Sequence, residues 1–534
     1  MLSAGRNMVR FFLLLVLACA SPVIAQTSVL TYHNDNYRTG WNSHETALIP
    51  ANVNASQFGL LAAVQVDDQV DAEPLLVPGV NITVGAHPGV HDTVYIVTGN
   101  DTVYAIDANS GTILLRNHLG SPVPTPLGCT NNGPNVGITG TPVIDLTQNS
   151  IYLIAYTLSG STPTYTLHAL DLGSLSDKIP PQVVAGSHVL SDGSTFSFNA
   201  TYQRQRPSLL EANGNVYAGF GSFCDYYPDL TRGWVLGWNA TTLAPLTANE
   251  LTDTQVGDSD DYFLSSIWMS GWGLAADDSG NVVFVTGNSD YAGTSYDGIT
   301  DVQESVVKVS PDLSTLVDIF TPDDQVNLDE NDTDFGSGGA MILPDQPGTI
   351  PHLAVAAGKD GNMYFMNEDD LGGYSPTTNN VLGTYQIGKC FCGASYFVDP
   401  HDGLARVVSS GSSTLEVWKL VTSPKTRLAA VSHAPLSSGQ RGGFFTSISS
   451  NGNSNPIIWA LARPTSRTNP VPTLYALNPD SGGSIMTTLY RGSAGSWPNW
   501  GSGFNQVPMV ANGKVYVATN KQLRIFGLKS GKKN

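Results

Sequence analysis

Carboxylates crowd one stretch of this chain. Asp323, Asp324, Asp329, Glu330, Asp332 and Asp334 all fall between positions 323 and 334. Oxygen ligands at that density suit a hard cation such as Ca²⁺. A calcium loop of the DxDxDG kind also needs its turn glycine, which is missing, so the run reads first as a solvated loop. A second dense patch, TYHNDNYRTGWN at 31–42, holds His33, Asp35, Arg38 and Trp41. It could line a binding surface, but pinning the N-terminal segment to the fold is the commoner use. Trp497-Pro-Asn-Trp500 could stack on a sugar or peptide; docking between packed elements is again the commoner use. Four cysteines lie beyond the N-terminal segment. Cys129 and Cys224 are expected to staple two loops. Cys390 and Cys392, one residue apart, would close a small ring if bonded. Neither set has the CxxC or His spacing of a zinc site. GxSxG, HExxH and a phosphate-binding glycine loop are all absent.

The elements that must position such groups are strands. Gly numbers 55 and Pro 32 among 534 residues, and only 13% are charged, so short strands broken by turns fit better than amphipathic helices. One unit recurs. Its clearest copy is TVYIVTG-NDTVYAIDANSG-TILLRNHLG, ending at Gly120. Later copies lie at 150–172, 215–242, 281–312, 352–367, 405–420, 457–483 and 514–528. Most carry a leading strand upstream, and in the sixth that strand is read as SYFVD. Eight four-stranded units around an axis leave only short edges. The last copy lacks its outer strand, and FGLLAAVQV from Phe58 is expected to supply it and close the ring. The fold class expected is therefore all-β, one eight-bladed propeller over 26–528.

Residues 1–25 read as a secretory signal. Arg6 and Arg10 precede a short apolar core, and Val23-Ile24-Ala25 offers a cleavage site. Lipid attachment at Cys19 is the minor variant of the same export, to periplasm or medium. Residues 529–534 read as a basic tail. The formal charge is −19, and cleavage removes two positive charges more. Such a surface argues against nucleic acid and anionic lipid as partners. No later stretch is apolar enough to span a bilayer as a helix. A monomer is expected.

Ala105-x-Asp107-x-x-x-Gly111 resembles the AxDxxxGxxxW repeat of pyrroloquinoline-quinone (PQQ) proteins, with Leu115 in the Trp position. Ala169-Leu-Asp171 and Ala476-Leu-Asn478 are looser copies. The chain is thus similar to the quinoprotein alcohol dehydrogenases, which hold PQQ and Ca²⁺ on the propeller axis. That resemblance implies four roles here. Asp225 in GSFCD and Asn288 in FVTGN stand where Ca²⁺ ligands would. Asp334 stands where the catalytic base would, also beside the metal, and Lys359 in AGKDGN where the quinone contact would. Trp272 in SGWGL is the nearest match to the Trp that floors the cofactor. The family's adjacent cysteine pair is absent, and Asp225 is shorter than the usual Glu. Two functions follow. One is a non-catalytic binding or scaffold propeller with a protein or glycan partner. The other is a Ca²⁺- and PQQ-dependent dehydrogenase.

Overall fold

Asp107 shows why the repeat folds as it does. Its Oδ1 accepts the N–H groups of Asn109 and Ser110 at 3.0 and 2.7 Å. Gly111 follows with φ of 76° and donates to Asp107 O. The side chain thus satisfies turn donors that a strand pair cannot reach, and glycine takes the left-handed position. Asp171 does the same for Gly173, and Asn478 for Asp480. Ala105, just before the turn, is fully buried.

The computed structural model describes residues 26–131, 133–256, 264–289, 296–440, 442–480 and 482–529. Residues 1–25, read above as a signal segment and including Cys19, and the tail beyond Lys529 lie outside them. Among the described residues, eight sheets of three to five strands, antiparallel except for two short added strands, follow one another along the chain. Blade one comprises Leu75–Ile82, Gly89–Val97, Thr102–Asp107 and Ile113–His118. Blades two to seven run over 143–183, 203–251, 275–321, 340–386, 395–435 and 445–493. Ser395–Val398 leads the sixth. In blade eight, Lys514–Leu528 lies between Met509–Ala511 and the N-terminal strand Phe58–Gln69. Phe58 pairs with Leu528 and Leu60 with Phe526. The ring is closed by joining the two ends of the chain, which removes the exposed edges of an open sheet.

Interleaved apolar strands fill the spaces between blades. Val282, Val283, Phe284 and Val285 are all buried, as are Trp234, Trp238 and Trp459. Each large apolar side chain so buried contributes about 1.5–3 kcal/mol before entropy is counted. The 31–42 segment packs into the ring. Fully buried Arg38 donates to Leu274 O at 2.7 Å, Thr31 Oγ1 at 2.7 Å and Tyr32 O at 2.8 Å. Trp41 and Asn42 add a short parallel strand to blade seven. Trp497 is buried against Phe504, while Trp500 sits under Arg467. Among the described residues no helix is long and apolar enough to cross a membrane.

Candidate functional site

Glycines bring three loops together. Gly287 ends a blade-four strand, Gly336 follows the acidic run, and Gly358 ends a blade-five strand. A Cβ on Gly336 would lie 2.4 Å from Gly287 N, and one on Gly358 would lie 2.6 Å from Phe335 Cα. Only bare backbone fits, so the Asp334 loop wedges between the turn carrying Asn288 and the turn carrying Lys359. Lys359 N–H donates to Asp334 O at 3.1 Å.

The acidic run is not uniformly solvated. Gln325–Glu330 form a short helix, and Asp329 is buried with its Oδ1 accepting Ser289 N–H at 3.0 Å. Asp334 is buried too, at 2% exposure. Its Oδ2 accepts the Trp268 indole N–H at 3.1 Å and pairs with Lys359 Nζ at 3.1 Å. Its Oδ1 has no partner. Burial pushes the Asp334 carboxyl up to about 6, against the pull of Lys359 and with further pushes from Asp225 and Asp332. Burial alone would lower the Lys359 ammonium, but Asp334 and Asp332 hold it above its ordinary value.

These groups face one cavity of about 260 Å³. Asp225, Asp334, Lys359 and Trp268 line it, with Arg204 and Arg206 from blade three and Phe391 from the connection before blade six. Asn131, Ser502 and Asn505 arrive from other connections, so the cavity lies where loops from around the ring meet. Both disulfides bear on its wall. Cys129–Cys224 joins the blade-one-to-two connection to the loop carrying Asp225. Cys390–Cys392 holds Phe391, whose carbonyl accepts from Arg463. Phe391 and Trp268 lie 5.9 Å apart, and Lys359 Nζ sits 5.6 and 5.8 Å from the Trp268 and Phe391 ring centroids.

Asn288 and Trp272 fall elsewhere. Asn288 is half-buried and not part of the cavity lining; it follows Gly287, which packs against Asp334, and its Oδ1 is sealed without a donor. Trp272 does not floor the cavity. It is fully buried and donates to Ala340 O at 2.9 Å. A Cβ on Gly339 or Gly393 would lie 2.0 or 2.3 Å from its ring, and Tyr32 and His33 pack against it. It is a core residue, and Trp268, four positions earlier, lines the cavity instead. Asp225 lines the cavity but is exposed, and its Oδ1 accepts from Ser222 Oγ. Sequence reasoning also passed over Arg204 and Arg206. Their alternation in Gln203-Arg204-Gln205-Arg206 was the available signal.

Can these residues suit a quinone and a cation? Unpartnered buried oxygens on Asp334 and Asn288 suit a hard cation. The Trp268 and Phe391 rings, tilted 54° to one another, offer aromatic contact to a flat ring system, and Arg204, Arg206 and Lys359 suit a polycarboxylate. The donor set fits.

No protein-family model matches the chain, and no curated protein matches it. Solved structures do. The quinohemoprotein alcohol dehydrogenase of Comamonas testosteroni superposes with a TM-score of 0.59 at 13% identity, over 96% of this chain and 82% of that one. A quinohemoprotein alcohol dehydrogenase of Pseudomonas putida HK5 gives 0.60 at 14%, over 95% and 81%. A europium-containing methanol dehydrogenase gives 0.59 at 12%, over 94% and 98%. The chain has the PQQ-type β-propeller fold.

Proposed function

We propose that this chain is an exported quinoprotein of the alcohol dehydrogenase kind, using PQQ and Ca²⁺. The observation that carries the reading is the meeting of Asp334, Lys359, Trp268 and Asp225 in one cavity; Asn288, with its sealed oxygen, follows Gly287, which packs against Asp334. Trp268 and Phe391 would give the quinone ring aromatic contact, and Arg204 and Arg206 would face its carboxylates. Asn288 and Asp334 would hold the cation, with Asp225 at the rim. A bound quinone supplies the two-electron acceptor, and the cation a Lewis acid beside it.

The chain's own residues do the proton chemistry. Lys359 and the Trp268 indole fix Asp334 Oδ2, which leaves the two lone pairs of Oδ1, one for the cation and one to accept a hydroxyl proton. A carboxylate titrating near 6 is ionised at neutral pH and is a stronger base than an exposed aspartate. Burial of the pair excludes water from the exchange.

One observation favours a binding propeller with a protein or glycan partner instead. The cavity is at the small end for a cofactor site, and Lys359 Nζ already lies 5.6 and 5.8 Å from the two ring centroids. Titration of the purified protein with PQQ, with and without Ca²⁺, separates the two readings. Saturable, Ca²⁺-dependent absorbance and a raised melting temperature support the dehydrogenase. No shift at concentrations well above micromolar leaves the binding propeller.

A further inference from the structure

Behind Asp334 stands a carboxylate that the chemistry above leaves unused. Glu304 is fully buried at 0% exposure. Its N–H donates to Gly287 O at 3.0 Å, and its Oε2 accepts the N–H of Phe335. One residue thus ties the turn bearing Asn288 to the loop bearing Asp334. Its other oxygen, Oε1, has no partner. The same holds for Asp334 Oδ1 and Asn288 Oδ1. Three buried acceptor oxygens on three touching segments therefore lack any donor. The segments are close: a Cβ on Gly287 would lie 3.4–3.5 Å from the Asp334 Cβ and Cγ.

Buried carboxylates are normally paired or bound to metal, because leaving a charge unpaired costs several kcal/mol or forces protonation. Lys359 cannot serve Glu304, since its ammonium is held by Asp332 and by Asp334 Oδ2. Burial, with Asp334 and Asp329 beside it, drives the Glu304 carboxyl well above its ordinary range. A cation would relieve that repulsion. Two carboxylate oxygens and one amide carbonyl, with no nitrogen or sulfur, make a hard-cation donor set. Asp225 offers less: it is exposed, and one of its oxygens already accepts from Ser222.

We propose that Glu304 Oε1, Asn288 Oδ1 and Asp334 Oδ1 together hold a Ca²⁺-class cation, and that Glu304 rather than Asp225 supplies the second carboxylate. The functional role of this site rests on the dehydrogenase reading; the ion site itself rests on the three oxygens.

The test uses terbium(III) as probe on the purified full-length protein without quinone. Trp268 donates to Asp334, so it is placed to sensitise terbium emission, and the signal lost in Trp268→Phe isolates this site from surface acids. Glu304→Gln keeps an acceptor for the Phe335 N–H. It should weaken the Trp268-dependent affinity by about tenfold or more, as should Asn288→Ala. Asp225→Asn should change it by less than about threefold, and Ca²⁺ should displace the ion. If circular dichroism shows Glu304→Gln unfolded, Glu304→Asp, which withdraws the oxygen by one methylene, should show the same loss. The proposal is overturned if wild type has no Trp268-dependent component, or if Asp225→Asn abolishes it while Glu304→Gln does not. Quinone retention after gel filtration with Ca²⁺, read by absorbance on the same preparations, judges the dehydrogenase reading separately. Terbium binding at Glu304 without quinone retention upholds the ion site and removes the enzyme.

Discussion

Replacing Lys359 with methionine keeps most of the stem's volume and removes its charge. The ammonium lies 3.1 Å from Asp334 Oδ2 and 2.7 Å from Asp332 Oδ1. Unit charges 3.1 Å apart attract by about 5 kcal/mol at an effective dielectric of roughly 20. Asp332 is exposed and competes for the same ammonium, so about half of that reaches Asp334. At about 1.4 kcal/mol per unit, the Asp334 midpoint should climb by roughly two pH units, from about 6 to about 8. Trp268 reports it, because its indole N–H donates to the titrating carboxylate. A pH titration of fluorescence, with Trp268→Phe subtracted, reads the midpoint without substrate or cofactor. Stability should follow. A carboxyl raised in the fold stabilises it fully below about 4 and no longer does so once pH passes its folded midpoint. In the variant that loss extends to about pH 8. The melting temperature of Lys359→Met relative to wild type should therefore fall further as pH rises from 6 to 8. A midpoint at or below that of wild type would refute the claim that Lys359 keeps Asp334 ionised.

The two tryptophans should part company. Trp272→Ala should lower stability by about 3–5 kcal/mol in denaturant melts, whereas Trp268→Ala should cost far less and abolish the fluorescence response to pH. On the dehydrogenase reading, Asp334→Asn should keep the fold and reduce PQQ-dependent alcohol oxidation by about 10²–10⁴-fold in a dye-linked assay; a collapse in melting temperature instead would mark Asp334 as structural. On the same reading, wild-type activity should fall as pH drops through about 6, because Asp334 must be ionised to accept a proton. Replacing Cys129 and Cys224 by serine opens a 95-residue loop and should cost about 4–5 kcal/mol by chain entropy, measured as a lower denaturation midpoint.

What the sequence showed and what it hid divide along one physical line. The blade turn was legible because it is local: Asp107 caps donors two and three residues ahead, and Gly111 supplies the positive φ. Ring closure by Phe58 was legible because a strand was missing at one end and spare at the other. Asp334 and Lys359 could be singled out because each lies at a strand end or in a loop where family positions can be matched residue by residue, and the fold brings both to one cavity. Trp268 and Trp272 could not be told apart that way. Between them Met269, Ser270 and Gly271 all adopt positive φ, at 40°, 52° and 88°. That turn sends one indole to the cavity and the other into the core, and no periodicity in the sequence encodes such a reversal. Glu304 was hidden more deeply. It precedes a run of strand residues and resembles a surface glutamate, and its character comes from what surrounds it: Gly287 on one side, Phe335 on the other, and no donor for Oε1. A buried charge with one oxygen held and one left over is a property of three segments at once. Only the fold can reveal it, and a site built from such leftovers is where this chain is free to depart from the proteins whose fold it shares.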